Sequence, residues 1–181
     1  MILVVAVVVL LGVMAYPSIQ SMQGDLRLRQ AADQVRSAWA MGRVQAVNEG
    51  RPYRFSVIPN KGNYRLAPDS SDFWSGNLPD MSGNQSERPV VLEAALPKGV
   101  RLTTADAPPA EFDATDETSL PLGQVDPGMY LPVVTFLPDG TSREDVAIIF
   151  SSKGTLPIVV KLRGITGGVT VRPFDPTGSG Q

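Results

Sequence analysis

Residues Met1–Tyr16 read MILVVAVVVLLGVMAY, without a charge or a strongly polar group. A helix of that length spans roughly 24 Å, short of the ~30 Å hydrocarbon core of a bilayer. Three readings compete. A cleaved signal peptide needs a basic n-region and a small-residue cleavage site, and neither flanks this run. A core helix apolar on all sides needs packing partners on every side. The third reading, a membrane helix that continues upstream of Met1, fits best. Ile2, Leu3, Val7 and Leu10 are then membrane and assembly residues, and Gly12 permits close approach of another helix.

The residues after this run narrow the choice. Beyond Pro17 the sequence turns polar but keeps a helical period from Ser18 to Glu49. Ile19, Met22 and Leu26 share a stripe, which continues through Leu28, Ala31, Val35, Ala38, Trp39, Gly42 and Ala46 at steps of three to four. Arg27, Arg29, Arg36 and Arg43 take the other faces. Gly50 and Pro52 supply a C-cap and a stop. Pro17 either starts a second helix or kinks a continuous one, and a single long helix is the preferred reading. Leu28, Val35, Trp39, Gly42 and Ala46 are its expected packing face.

Past Pro52 the period becomes strand-like. Tyr53–Ile58 alternates, Pro59–Gly62 carries turn residues, and Asn63–Ala67 returns as a partner strand. Strand candidates resume at Pro89–Ala95 and Gly99–Thr104. Val133–Leu137, Asp145–Phe150, Leu156–Leu162 and Val169–Arg172, separated by turns, read as an antiparallel meander. The fold class expected is α+β: a long N-terminal helix packed on an antiparallel β-sheet head. The boundaries expected are residues 1–17 for the transmembrane half of the helix and 18–50 for the amphipathic half. The β domain covers 51–173, with long loops at 68–87 and 104–130, and 174–181 is a frayed tail. Phe73 and Trp74 would anchor the first loop to the core.

Composition excludes several chemistries. Cys and His are both absent, so disulfides, thiolate or imidazole metal sites and His-assisted nucleophiles are not available. With 16 Lys and Arg against 18 Asp and Glu, the chain is not a basic nucleic-acid binder overall. The acidic stretch Asp106–Asp126 holds Asp106, Glu111, Asp113, Asp116, Glu117 and Asp126 with no Lys or Arg. It could present oxygens to a cation, but its spacing fits no EF-hand loop. A solvated acidic loop is the simpler account. A carboxylate pair for hydrolysis could be drawn from it, yet no sequence fixes the ~5–10 Å separation required. The expectation is a structural protein rather than an enzyme, with no catalytic residue, no metal and no cofactor.

A hydrophobic helix reaching a Pro, then Ser-Ile, an Arg- and Ala-rich amphipathic half and a β head resembles the type IV pilin superfamily. The segment Leu28–Arg51 with Trp39-Ala-Met-Gly-Arg-Val-Gln-Ala46 carries the likeness further. With it go the hairpin Tyr53–Leu66, Leu96-Pro-Lys-Gly-Val-Arg-Leu102 and Phe136-Leu-Pro-Asp-Gly140. Together they resemble the H-type minor pseudopilins of the GspH/FimT family. The resemblance implies a single-pass bacterial inner-membrane protein with its β domain in the periplasm. It also implies packing with other pseudopilins or pilins in a helical fibre, contact with a secreted substrate, and methylation. Where a leader precedes the run, prepilin peptidase is a further partner. In that family a basic leader and Phe-Thr-Leu-Ile-Glu stand just upstream of where Met1-Ile-Leu-Val-Val falls, which either a start codon set too late or a processed and trimmed chain would explain.

DNA-binding members of the family carry a Gly-Arg-x-Arg pattern near the final turn. This chain has Gly167-Gly168-Val169-Thr170-Val171-Arg172 there. Lys161, Arg163 and Arg172 remain as a weak DNA contact; solvated edge-strand charges are the simpler reading, and nucleic acid is not the expected partner. The leading functional reading is a minor pseudopilin of a type II secretion system. A type IV pilus minor pilin, with a role in DNA uptake, is the alternative. A membrane-anchored hydrolase using the acidic stretch is the reading from another class.

Overall fold

A computed structural model describes residues 2–75, 89–104, 119–123 and 125–174, with side chains from Gln23 onward. Helix α1 runs unbroken from Ile2 to Glu49, so Pro17 neither ends it nor starts a second helix. Gly50, at φ +65°, ends it in the left-handed conformation that glycine adopts without a Cβ penalty. Just beyond, the Tyr53 hydroxyl donates to Glu49 Oε1 at 2.7 Å and ties the last turn to the first strand.

Among the described residues eight strands come after the helix: β1 Tyr53–Val57, β2 Asn63–Pro68, β3 Leu92–Ala95, β4 Val100–Thr104, β5 Leu131–Phe136, β6 Val146–Ser152, β7 Ile158–Arg163 and β8 Gly168–Pro173. The α+β class and the helix laid on antiparallel strands are those expected from the sequence. The strands form two four-stranded sheets, in the orders β3-β2-β1-β5 and β4-β6-β7-β8, and all pairings within them are antiparallel.

The meander expected of the last four strands holds for β6, β7 and β8 only, because β5 does not form a hairpin with β6. The turn at Pro138–Gly140 does close, with Gly140 N donating to Leu137 O at 3.0 Å. The returning chain then makes only an isolated bridge, Phe136 to Ser142, and leaves for the other sheet. Local turn chemistry is as the sequence indicates; the partner of each strand is set at longer range. The apolar row Val146, Ile148 and Phe150 on β6 joins Leu102, Val160 and Leu162 beneath the helix. β5 stays at the edge of the first sheet, where Pro132 is tolerated because an edge strand has one side without ladder bonds.

The core lies between α1 and the inner faces of both sheets. Leu28, Ala31, Val35, Trp39 and Ala46 pack with Tyr53, Phe55, Leu66, Val134 and Phe136 of the first sheet and with the apolar row of the second. Each fully buried Leu, Val or aromatic side chain there contributes about 1.5–3 kcal/mol of transfer free energy. Trp39 meets Phe55 edge-on, with centroids 5.9 Å apart. Leu26 leaves the stripe expected of it and stands 59% exposed.

A smaller cluster covers the outer face of the first sheet. Phe73, Trp74 and Tyr130 bury there with Ile58 and Ala67. Asn63 clamps this layer, donating from Nδ2 to Leu120 O at 2.9 Å and accepting at Oδ1 from Leu120 N at 2.7 Å.

Candidate functional site

Three regions of the chain could carry function, and the helix comes first. Among the described residues no helix is long and apolar enough to cross a membrane. The expected membrane and assembly residues Ile2, Leu3, Val7, Leu10, Gly12 and Pro17 lie where only the helical backbone is described. Of the expected packing face, Leu28, Val35, Trp39 and Ala46 are all buried. Gly42 is a point of close approach to the first sheet: a Cβ there would stand 2.8 Å from Leu66 Cδ1 and 2.9 Å from Phe136 Cδ2. Gly24 makes a similar approach to Thr155, in the turn between β6 and β7.

The second region is the far end of the second sheet. Lys161 and Arg163 on β7 and Arg172 on β8 share one exposed face, because Lys161 pairs with Thr170 and Val159 with Arg172. The fold therefore brings together the three cations that the sequence singled out. They line one concavity with a carboxylate, Asp145, whose Oδ1 accepts from Gly164 N at 2.5 Å.

On the opposite face of that same edge runs a groove of about 670 Å³ between α1 and β8, lined by Trp39, Val44, Val47, Phe136, Leu162 and Val169 among others. Arg43 closes one end. Its Nη1 donates to Thr166 O at 3.3 Å, and it lies against Gly167 so closely that any Cβ there would collide with the guanidinium. Gly167 also has φ +65°, a left-handed conformation that favours glycine, while the Arg43 end of a flexible side chain could give way to a Cβ. Sequence reasoning placed Arg43 on a free helix face. Its contact with a turn more than a hundred residues away left no local signal.

The third region is buried. Arg65, on the outer face of β2, is 1% exposed and pairs through Nη1 with Glu93 Oε1 at 2.6 Å. Its guanidinium lies over Trp74 at 5.5 Å, on a ring that Arg54 also approaches, at 5.0 Å. Arg54 in turn pairs with Asp69, which Arg143 approaches at 3.9 Å. Among the described residues, Arg65 Nε and Nη2 and the Tyr130 hydroxyl are buried without a hydrogen-bond partner. Burial, with the Glu93 charge adding to it and Arg65 opposing, pushes the Tyr130 phenol up to about 12. An alternating strand with an Arg in it reads as solvent-facing, so sequence reasoning missed this site. Phe73 and Trp74 were the available sign that a second layer lies over that face.

Most of the acidic stretch, and with it the cation and carboxylate-pair readings, lies outside the described residues. Asp126 is described, and its carboxylate accepts from Gly128 N at 2.8 Å in a short turn. Among the described residues no three metal-ligating side chains come together.

No protein-family model matches the sequence, and no curated protein matches it. Similar solved structures include two of the minor pseudopilin EpsH from the type 2 secretion system of Vibrio cholerae. One is 12% identical with a TM-score of 0.49, covering 81% of this chain and 97% of that one. The other is 14% identical with a TM-score of 0.48, covering 82% of this chain and 96% of that one.

Proposed function

We propose that the chain is a minor pseudopilin: a structural subunit of a type II secretion pseudopilus that helps assemble the fibre and export proteins across the outer membrane. The observation that carries the reading is the continuity of α1. One helix begins in an uncharged run and ends as the element on which both sheets pack. In lipid such a run satisfies its own backbone hydrogen bonds. In a fibre the same surface packs against neighbouring helices, so one segment serves both states. The soluble head then faces outward and presents its edges and loops to other subunits.

The test is genetic and biochemical. Deletion of the gene should abolish export of secreted proteins while leaving surface pili intact, and the intact chain should restore export. Because the chain has no Cys, a single Leu10→Cys substitution gives a unique cross-linking handle, which should capture other fibre subunits in native membranes. Normal secretion in the deletion strain, together with no captured subunit, overturns the reading.

A second reading, a type IV pilus minor pilin that aids DNA uptake, is favoured by the convergence of Lys161, Arg163 and Arg172 on one face. It predicts loss of transformation, with secretion intact, in the same deletion strain. Phosphate contacts by these cations would also make DNA retention fall steeply with salt.

A further inference from the structure

The groove between α1 and β8 is open along one side, and that side is a strand edge. β8 is the last strand of its sheet and, among the described residues, bonds only to β7, so alternate backbone N–H and C=O groups along Gly168–Pro173 face away from the ladder. Long exposed edges of this kind are templates for another strand. The surface beside it is apolar: Val44 is 54% exposed, Val47 50% and Val171 44%. Val44 and Val47 flank a floor of buried Trp39, Phe136 and Leu162, and Val171 lies two residues along β8 from the lining Val169. A strand added beside β8 would drop every second side chain into that groove and turn the others outward.

Charge selects among strands. Arg36 and Arg43 line the groove on the helix side, and Lys161, Arg163 and Arg172 line the outward face of β7 and β8. Among the described residues Asp145 is the only carboxylate lining either concavity, and it is held by the Gly164 amide. An incoming segment with basic residues is repelled from both sides; one with carboxylates is drawn to both.

We propose that the β8 edge is a docking site for an extended segment of another protein, alternating apolar and acidic residues, bound by strand addition. Backbone bonds to β8 supply the register, and the Val44–Val47 groove takes the apolar side chains. Lys161, Arg163 and Arg172, on the outward face, select the acidic ones. The inference goes beyond the fibre reading and does not depend on it, since it concerns only the described head.

The experiment uses the full chain in detergent micelles and a short, capped, fluorescent peptide alternating valine with glutamate, read by fluorescence anisotropy. The expected result is saturable binding that weakens several-fold with added salt. Methylating the peptide's alternate backbone amides, on the side that faces β8, should weaken binding about tenfold or more, since it removes the ladder bonds to β8. Val44→Asp, at an exposed position, should weaken it similarly while leaving the circular dichroism spectrum unchanged. A lysine-for-glutamate peptide should not bind. The proposal is overturned by failure of the valine–glutamate peptide to bind, or by equal binding of its methylated form, which would mean charge attraction alone. It is also overturned by self-association of the chain that Val44→Asp abolishes and the peptide does not displace. Tighter binding of a DNA duplex, lost in Arg172→Ala and indifferent to Val44→Asp, would overturn it too.

Discussion

Replacing Gly42 by Ala sets two effects of known size against each other. Within a helix, Gly→Ala should stabilise by about 0.8–1 kcal/mol through propensity alone. Here the new methyl would stand 2.8 Å from Leu66 Cδ1 and 2.9 Å from Phe136 Cδ2, closer than non-bonded carbons tolerate. Both neighbours are buried, so neither can swing into solvent and the helix must lift from the sheet or two core side chains must leave their rotamers. Overpacking of this kind costs about 1–3 kcal/mol, and with two contacts violated the upper half of that range applies. The net expectation is destabilisation by about 1–2 kcal/mol, the overpacking cost less the propensity gain. Urea unfolding followed by tryptophan fluorescence measures it, because Trp39 lies one turn away in the same core. Combining Gly42→Ala with Leu66→Val, which shortens one offending side chain, should cost less than the sum of the single changes. An unchanged or raised urea midpoint for Gly42→Ala would refute the close approach of helix and sheet, and strict additivity would refute the role of Leu66.

Further expectations concern the buried polar layer and the helix end. Glu93→Gln should destabilise the head by about 2–3 kcal/mol, because it strands the Arg65 charge without the carboxylate that faces it. Arg65→Met, which removes the charge and its orphaned N–H groups together, should cost less, and the same denaturation curves rank the two. Tyr130 is neutral in the folded head and its phenol titrates near 12 instead of the ordinary 10.0. Its contribution to stability is therefore complete below about pH 10 and is lost as pH rises from about 10 to about 12. Tyr130→Phe should remove part of that alkaline fall and leave stability at neutral pH unchanged or slightly higher, since the buried hydroxyl has no partner among the described residues. Gly50→Ala should lower the unfolding midpoint by an amount equivalent to about 1 kcal/mol, because φ +65° strains any side chain there. A midpoint equal to that of the parent chain would show that α1 ends differently.

Periodic features of the sequence carried most of the fold. The stripe from Leu28 to Ala46 repeats at helical spacing, and the strands alternate cleanly, so helix, strands and their inner faces were legible from local pattern. Partner choice was not. Asp145–Phe150 comes after Val133–Leu137 across a good turn, and nothing within those residues says that one belongs beside Tyr53–Val57 and the other beside Val100–Thr104. Lys161, Arg163 and Arg172 were legible as a group because β7 and β8 form a true hairpin, in which register is fixed by the turn. The Val44–Val47 wall escaped notice for the opposite reason: its apolar residues lie outside the main stripe, and the groove exists only once β8 has been brought alongside. Arg65 escaped because burial on the outer face depends on segments far away in the chain.

Among the described residues the two sheets share no strand, and α1 is the long element on which both of them pack. Its holds on the head are spread along its second half, from Gly24 against Thr155, through Gly42 against Leu66 and Arg43 against Thr166, to Glu49 against Tyr53. A pull along the helix axis therefore meets these contacts side by side, in shear, so that many must yield together. A pull perpendicular to the axis would open them one after another, from the Gly24 end. The head should therefore resist a lengthwise pull on its helix better than a force that peels the helix away.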